Sequence, residues 1–457
     1  MELLYNKKKI TNQEGSFMQD YEEFERDEEL LEKRRLKRLE MKRKRKIQQR
    51  IILVVLAAVL VLLIALIARG CSTEKKQPDP EPVEPPPAIE NIPEPDPDVI
   101  ATIAAVGDIM MYDAQINAAK QEDGTYDFTS CFEAIYPYTA SADLTFGNLE
   151  LNLLGSEPYM GNTQTAPYFN APENLAANLS AIGFDILQTA NTYSIMNGMK
   201  GLQSTIDILN QNSIDHVGTH ATDPAESASG GVVLRDVNGI RIAVIGFTKG
   251  VNNMALPSNS KFAVDLLYND YNSNYQQVDT TSILERIDAA KNTDPDVIIA
   301  MLHWGSEYEL GISDTQEEIR DLMFKNGVDV ILGSHPHIVG PMETMEVETS
   351  DGEKKECFVA YSLGNFISSM NKEYTKDSVI LNLEFTKSGE TGDTVISDIS
   401  YTPLYILDRG EGTERRFEVL PIRDAIASSM FEEYEGVMNT AIDNLKTNTG
   451  SDYDSGN

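Results

Sequence analysis

From residue 100 onward the chain predicts an α/β fold. Short apolar runs rich in Val, Ile and Ala recur, as expected of strands buried on both faces. Helical stretches separate several of these runs, which places helices on the outside of the sheet. Two later runs alternate apolar and polar residues and predict antiparallel strands that close the domain.

The elements follow in order. Residues 1–50 form a charged tail, of which 21–50 start acidic and end basic, with MKRKRK at 41–46 and Arg50. Residues 51–68, IILVVLAAVLVLLIALIA, are eighteen apolar residues without a charge. At about 1.5 Å rise per residue they span roughly 27 Å, close to one hydrocarbon core. A buried soluble helix would keep a polar face, and a signal peptide would not follow fifty residues of charged tail. A single transmembrane signal anchor is therefore expected, with lipoprotein processing before Cys71 as the competing reading. The basic flank keeps the N-terminus in the cytoplasm and places the C-terminal domain outside the cell. Residues 69–99 form a Pro-rich extracellular linker; QPDPEPVEPPPAIENIPEPDPD at 77–98 holds nine of the 20 prolines and favours an extended spacer.

The predicted strands are TIAAVG (102–107), DLTFGNLEL (143–151), FDILQTAN (184–191), RIAVIGF (241–247), DVIIAMLHW (296–304), DVILGSH (329–335) and FVAYSLGNF (358–366). Helices are predicted over 172–183, 199–212 and 315–327. The main domain is read as 100–410. Residues 411–457 are read as a C-terminal strand and helix, with the helix over 422–446 and a disordered tail from 447.

Charge and composition exclude several classes. The chain has 457 residues, 72 acidic and 38 basic, for a net charge of −34. Residues 1–69 carry +5 and the remainder −39. A basic face for nucleic acid is missing, so no nucleic-acid partner is expected. Three cysteines do not make a disulfide scaffold.

The chemistry lies at the ends of the predicted strands. TIAAVG ends in Asp108, DLTFGNLEL carries Asn148 and Glu150, and FDILQTAN ends in Asn191. The next runs supply His303 and then Glu307, His335 and His337, and finally Asn365. In open α/β folds such strand ends form the ligand crevice, so residues distant in sequence can converge. His335 and His337 flank Pro336, and an extended segment would point both imidazoles the same way. Mixed His, carboxylate and amide donors suit Mn, Fe or Zn. His216 and His220 are read as structural or rim residues.

These strings resemble the CapA family of bacterial capsule or poly-γ-glutamate synthesis proteins. The matching segments are AAVGDIM (104–110), FGNLE (146–150), TAN (189–191), HWGSEYE (303–309), GSHPHIV (333–339) and YSLGNF (361–366), in the family's order over roughly 100–410. The resemblance implies a two-sheet α/β/β/α sandwich of metallophosphoesterase type with two divalent metals. By position it implies Asp108, Glu150, Asn191, His303, His335 and His337 as metal-site residues, with Asn148 and Glu150 competing to face the metals. It implies Asn148, Glu307 and Asn365 as substrate or supporting contacts, and His303, Tyr193 and Glu307 as catalytic candidates. One motif departs: where the family reads N-N-H-x-x-D-x-G, this chain has NTYSIMNG (191–198), with Tyr193 for the histidine and Met196 for the aspartate. A phenol can donate a proton, but Met196 offers no acid–base chemistry.

Two functions follow as expectations. The first is a membrane-anchored accessory that assists synthesis, export or retention of an acidic capsule polymer beside membrane-bound synthase subunits. The second is an active metal-dependent hydrolase of a phosphoester or polymer amide. The acidity of residues 70–457 works against an acidic polymer at long range, so the polymer rests on the resemblance alone.

Overall fold

The structure is a computed structural model that describes residues 96–155, 169–412, 415–450 and 453–456. The charged tail, the apolar run 51–68 and most of the proline-rich linker lie outside the described residues. Among the described residues no helix is long and apolar enough to cross a membrane.

The strands are β1 (Val99–Ile109), β2 (Leu144–Leu149), β3 (Asn152–Leu153), β4 (Asn170–Ala171), β5 (Ile186–Gln188), β6 (Asp215–Val217), β7 (Val233–Val237) and β8 (Ile240–Thr248). They continue as β9 (Val297–His303), β10 (Val330–Ser334), β11 (Met342–Glu348), β12 (Lys354–Ala360), β13 (Asn365–Ile367), β14 (Asp377–Lys387), β15 (Thr394–Arg409) and β16 (Arg416–Pro421). An eight-stranded sheet has the order β16-β15-β14-β1-β2-β5-β6, with β13 also pairing β1. A six-stranded sheet has the order β11-β12-β10-β9-β8-β7. Both sheets are mixed: in the six-stranded sheet β12, β10, β9 and β8 run parallel between antiparallel edge strands, whereas in the eight-stranded sheet β1, β2, β5 and β6 form a parallel half and β14, β15 and β16 an antiparallel half.

The two sheets pack face to face. Ala101, Ile103, Leu144 and Phe146 of the first share one apolar cluster with Val244, Ile299, Met301 and Leu332 of the second. Alternation along each strand sends the intervening residues to the outer faces. Helix α1 (Asn174–Ile182) covers the outer face of the first sheet through Leu175 and Leu179, and α2 (Gly198–Gln211) adds Ile208 and Leu209. Helices α3 (Thr280–Lys291) and α4 (Asp314–Lys325) cover the second through Ile283, Ile287, Ile319 and Phe324. The start of α4 is fixed by a capping box, Ser313 with Gln316. The expected mixed α/β layering with helices outside is present.

Four expectations change. FVAYSLGNF is not one strand: Phe358–Ala360 belong to β12 in the six-stranded sheet, and Asn365–Ile367 form β13 beside β1 in the other. Gly364, with left-handed backbone (φ 67°), lies in the crossing between them. The main sheet continues past residue 410, because β16 pairs with β15 along its length. The helix expected over 422–446 breaks: Ile422–Ala427 is a short helix, Ser429 turns left-handed, buried Phe431 anchors the next turn, and α5 (Glu435–Thr449) follows. The tail expected to be loose returns to the sheet, where Tyr401 N donates to Tyr453 O at 2.7 Å and Ser455 N to Tyr401 O at 2.9 Å.

Gly107 decides how closely β13 lies on β1. A Cβ there would collide with the Gly364 carbonyl, which accepts the Asp108 N–H at 2.9 Å. Gly107→Ala should lower the unfolding free energy by about 2–4 kcal/mol, because backbone must shift to make room. Thermal unfolding of the full chain checks this, and an unchanged midpoint would refute the close-approach argument.

Candidate metal centre

Parallel register brings the polar strand ends together. Asp108 is the lateral partner of Asn148 on one side and of Asn365 on the other. In the second sheet His303 is level with Ser334 and with Thr248. The face-to-face packing then sets the two rows of strand ends against each other.

Asp108 is fully buried and holds the junction. Its Oδ1 accepts the Asn148 amide at 2.7 Å, and its Oδ2 accepts His335 N–H at 3.3 Å and lies 3.0 Å from His337 Nδ1. His303, also fully buried, contacts Glu150 Oε1 at 3.3 Å and Thr192 Oγ1 at 2.9 Å through Nε2. Its Nδ1 lies 3.0 Å from Ser334 Oγ. The imidazoles of His303 and His335 are 4.6 Å apart between centroids, and those of His335 and His337 are 6.0 Å apart.

The histidines of HPH do converge, but not through an extended strand. His335 (φ 95°) and His337 (φ 61°) both adopt left-handed backbone, in a bend that follows β10. Such conformations cost on the order of 1–3 kcal/mol each and persist where the surroundings over-determine them. Here the Asp108 carboxylate engages the backbone of one histidine and the ring of the other.

The amides support the ligands. Asn148 and Asn365 are buried, and each hydrogen-bonds to a member of the cluster. Asn148 bridges Asp108 to Asn191, whose amide donates to Asn148 Oδ1 at 3.1 Å and to Leu149 O at 2.8 Å. Those two bonds pin the TAN turn onto β2, and within the turn Asn191 Oδ1 accepts the Tyr193 N–H at 3.1 Å. Asn365 Oδ1 lies 3.1 Å from His337 Nδ1, and its amide donates to Thr375 O at 3.2 Å. Glu150 lies just past β2, and its side chain joins the acidic and histidine donors. Glu307 is exposed at the mouth. Tyr193 is half-buried beside the cluster and stacks on Phe169 at 4.4 Å. Met196 is buried and contributes no polar group. His216 and His220 lie apart; His220 pairs with Asp265 at 2.9 Å, and Arg286 binds the same carboxylate at 2.6 Å.

The donor set fits a divalent metal. Three groups each offer ligand atoms within 4.8 Å of one another: Glu150, His303 and His335; Asp108, Glu150 and His337; and Glu307, His335 and His337. Glu150 Oε2 and His335 Nδ1 are buried without a hydrogen-bond partner. Unpaired buried acceptors cost free energy, and a cation between them would offset that cost. Burial, with neighbouring His303, holds His335 well below its ordinary value, so its neutral imidazole is ready to bind.

The metal-free charge balance rests on one proton. Burial alone would lower His337, but Glu150 and the Asp108 hydrogen bond raise it to about 9. Burial alone would raise Asp108, but the His337 contact keeps it below the usual carboxylate range. Burial raises the phenols of Tyr112 and Tyr193 above their ordinary range, and Glu150 adds to this; burial and Glu307 raise Tyr308 to about 12. All three remain protonated donors at neutral pH.

Several residues at this site carry no signal that the strand-end pattern alone picks out: Ser334, Thr192, Lys249 and Tyr308. Ser334 and Thr192 adjoin the marked residues directly. Lys249 follows β8, and extending the strand-end rule past RIAVIGF reaches it.

The family match covers the whole site. A family model described as "Bacterial capsule synthesis protein PGA_cap" matches residues 102–370 and so includes every donor above. The chain belongs to this family. It is 27% identical over 304 residues to the capsule biosynthesis protein CapA of Bacillus anthracis, a match covering 65% of this chain and 66% of that protein. It is 25% identical over 295 residues to the PGA biosynthesis protein CapA of Bacillus subtilis, covering 64% and 70% respectively. The chain thus spans just under two thirds of the length of the first relative. Among solved structures, it resembles a novel phosphatase from Mycoplasma pneumoniae with a TM-score of 0.36 and 12% identity, over 67% of this chain and 94% of the other.

Two outcomes are expected. The His335→Ala/His337→Ala variant should lose most of its bound metal by elemental analysis, and undiminished metal would sink the assignment. In chelator-treated protein the raised His337 value stabilises the fold fully below about pH 6.5 and less as pH climbs through about 9. Its melting temperature should fall across that interval. Metal affinity should rise there, since binding displaces the same proton.

Proposed function

We propose that this chain is a membrane-anchored capsule-assembly protein. Its outer domain assists synthesis, export or retention of a polymer such as poly-γ-glutamate and holds a divalent-metal site of metallophosphatase type. Family membership supports the capsule role. The observation that carries the metal site is the buried convergence of Asp108, Glu150, His303, His335 and His337, with Glu150 Oε2 and His335 Nδ1 left for a cation. Two ions of Mn, Fe or Zn suit overlapping donor groups that share Glu150.

In this reading residues 51–68 anchor the chain once in the membrane, the tail stays in the cytoplasm and the domain faces outward. Polymer synthase subunits are the expected neighbours of the anchor. The bound metal supplies a Lewis acid for an anionic oxygen. The chain's own residues do the rest: Asp108 and the Asn148–Asn191 amides fix the imidazoles, and Glu307 lines the mouth.

A specific observation favours a hydrolytic reading as well. Tyr193 keeps its proton, is fixed by stacking on Phe169 and stands beside the cluster. A phenol so placed can donate to a leaving group in the role the family's histidine would fill. His303 and Glu307 are the other catalytic candidates.

The two readings separate by assay. The accessory reading predicts metal-dependent retention of poly-γ-glutamate by the full chain without shortening of the polymer. Metal-dependent cleavage of the polymer or of a phosphodiester, reduced at least about 100-fold in Tyr193→Phe, would instead establish the hydrolase. Topology has its own check: protease added to intact cells should remove the C-terminal domain, and protection would contradict the orientation.

A further inference from the structure

The mouth of the cluster carries two lysines that the residues above leave unexplained. Lys249 follows β8, and its backbone N–H donates to His303 O at 2.8 Å. Its ammonium donates to Gly305 O at 2.5 Å and lies 4.6 Å from the Tyr275 ring centroid. Lys372 is the second: its ammonium lies 3.5 Å from the Tyr308 ring centroid, and that ring is 5.8 Å from the His337 ring.

Both therefore bear on one short loop, Gly305–Tyr308, which is tied to the HPH bend by Tyr308 N–H donating to Pro336 O at 2.8 Å. Neither lysine forms an ion pair among the described residues, although the domain is strongly acidic and offers many carboxylates. Lys249 is half-buried, and burial depresses its ammonium, so holding its charge there has a cost. Its field reaches both His335 and Glu307. Aromatic faces and a carbonyl position these cations without neutralising them.

We propose that Lys249 and Lys372 form an anion cradle over the metal centre, which receives the carboxylate or phosphate oxygens of the substrate. This deepens the reading given under the proposed function and rests on its metal site. The two cations face oxygens that the cluster, rich in its own carboxylates, would otherwise repel. They also provide the local positive patch an acidic ligand needs once salt has screened the long-range field beyond about 10 Å.

The test uses the metal-loaded full chain, its Lys249→Gln/Lys372→Gln variant and two probes, inorganic phosphate and poly-γ-glutamate oligomers. Bound metal and melting temperature verify that the variant is folded and loaded. The cradle predicts that the variant loses about tenfold or more in affinity for each probe the parent binds, with a shallower dependence on salt. If the parent binds phosphate but not polyglutamate, and the variant loses phosphate, the cradle stands and the polymer reading fails. Equal affinities in parent and variant, or a parent that binds neither probe, would overturn the cradle. If Lys249→Arg/Lys372→Arg restores binding, charge and not side-chain shape is responsible; a failure to restore it would also count against the proposal.

Discussion

Asp108 is the point on which the site depends. Its carboxylate, buried between two sheets, accepts an amide from β2, a backbone N–H from the bend after β10, and faces the ring of His337. A charge so placed is tolerable only with compensation, and in the metal-free protein that compensation is the His337 proton. The close seating of β13 on β1 at Gly107 places Asn365 beside the same pair. Strain in the HPH bend, cross-sheet packing and ligand position are thus one coupled problem, which a cation in place of the proton would relieve.

The layering holds the centre between two packed faces. Helices cover both outer faces, and the strands that carry Asp108, Asn148, His303 and Ser334 are central in their sheets. Such strands cannot shift singly without disturbing packing on two faces. The groups at the mouth differ: Glu307 and Lys372 are exposed, and Lys249 is half-buried. The candidate metal donors thus lie mostly in the buried strand ends, and the more exposed charged groups lie in a loop rim.

Much of the fold and the site is legible in the amino-acid sequence. Val- and Ile-rich runs mark the central strands, because a strand buried on both faces has no polar register to hide it. Asp108, Glu150, His303, His335 and His337 stand out because each follows such a run. The departures share a cause. Nothing local in FVAYSLGNF reports that its second half crosses, past a left-handed glycine, into the other sheet. The burial of Asn148 and Asn365 is likewise not marked locally, since it depends on neighbours far away in sequence. The pairing of the C-terminal tail with β15 is of the same kind.

By itself, the sequence determined the alternation of strands and helices, the polar residues that end the strands, and the split between a basic N-terminus and an acidic domain. These are local properties of composition and period. Only the tertiary structure decided which carboxylate meets which imidazole, that His335 and His337 converge through left-handed backbone, and that two lysines reach the loop of Gly305 and Tyr308. Each of those depends on cross-sheet distances, and such distances are set by packing between segments up to 229 residues apart, which no local pattern encodes.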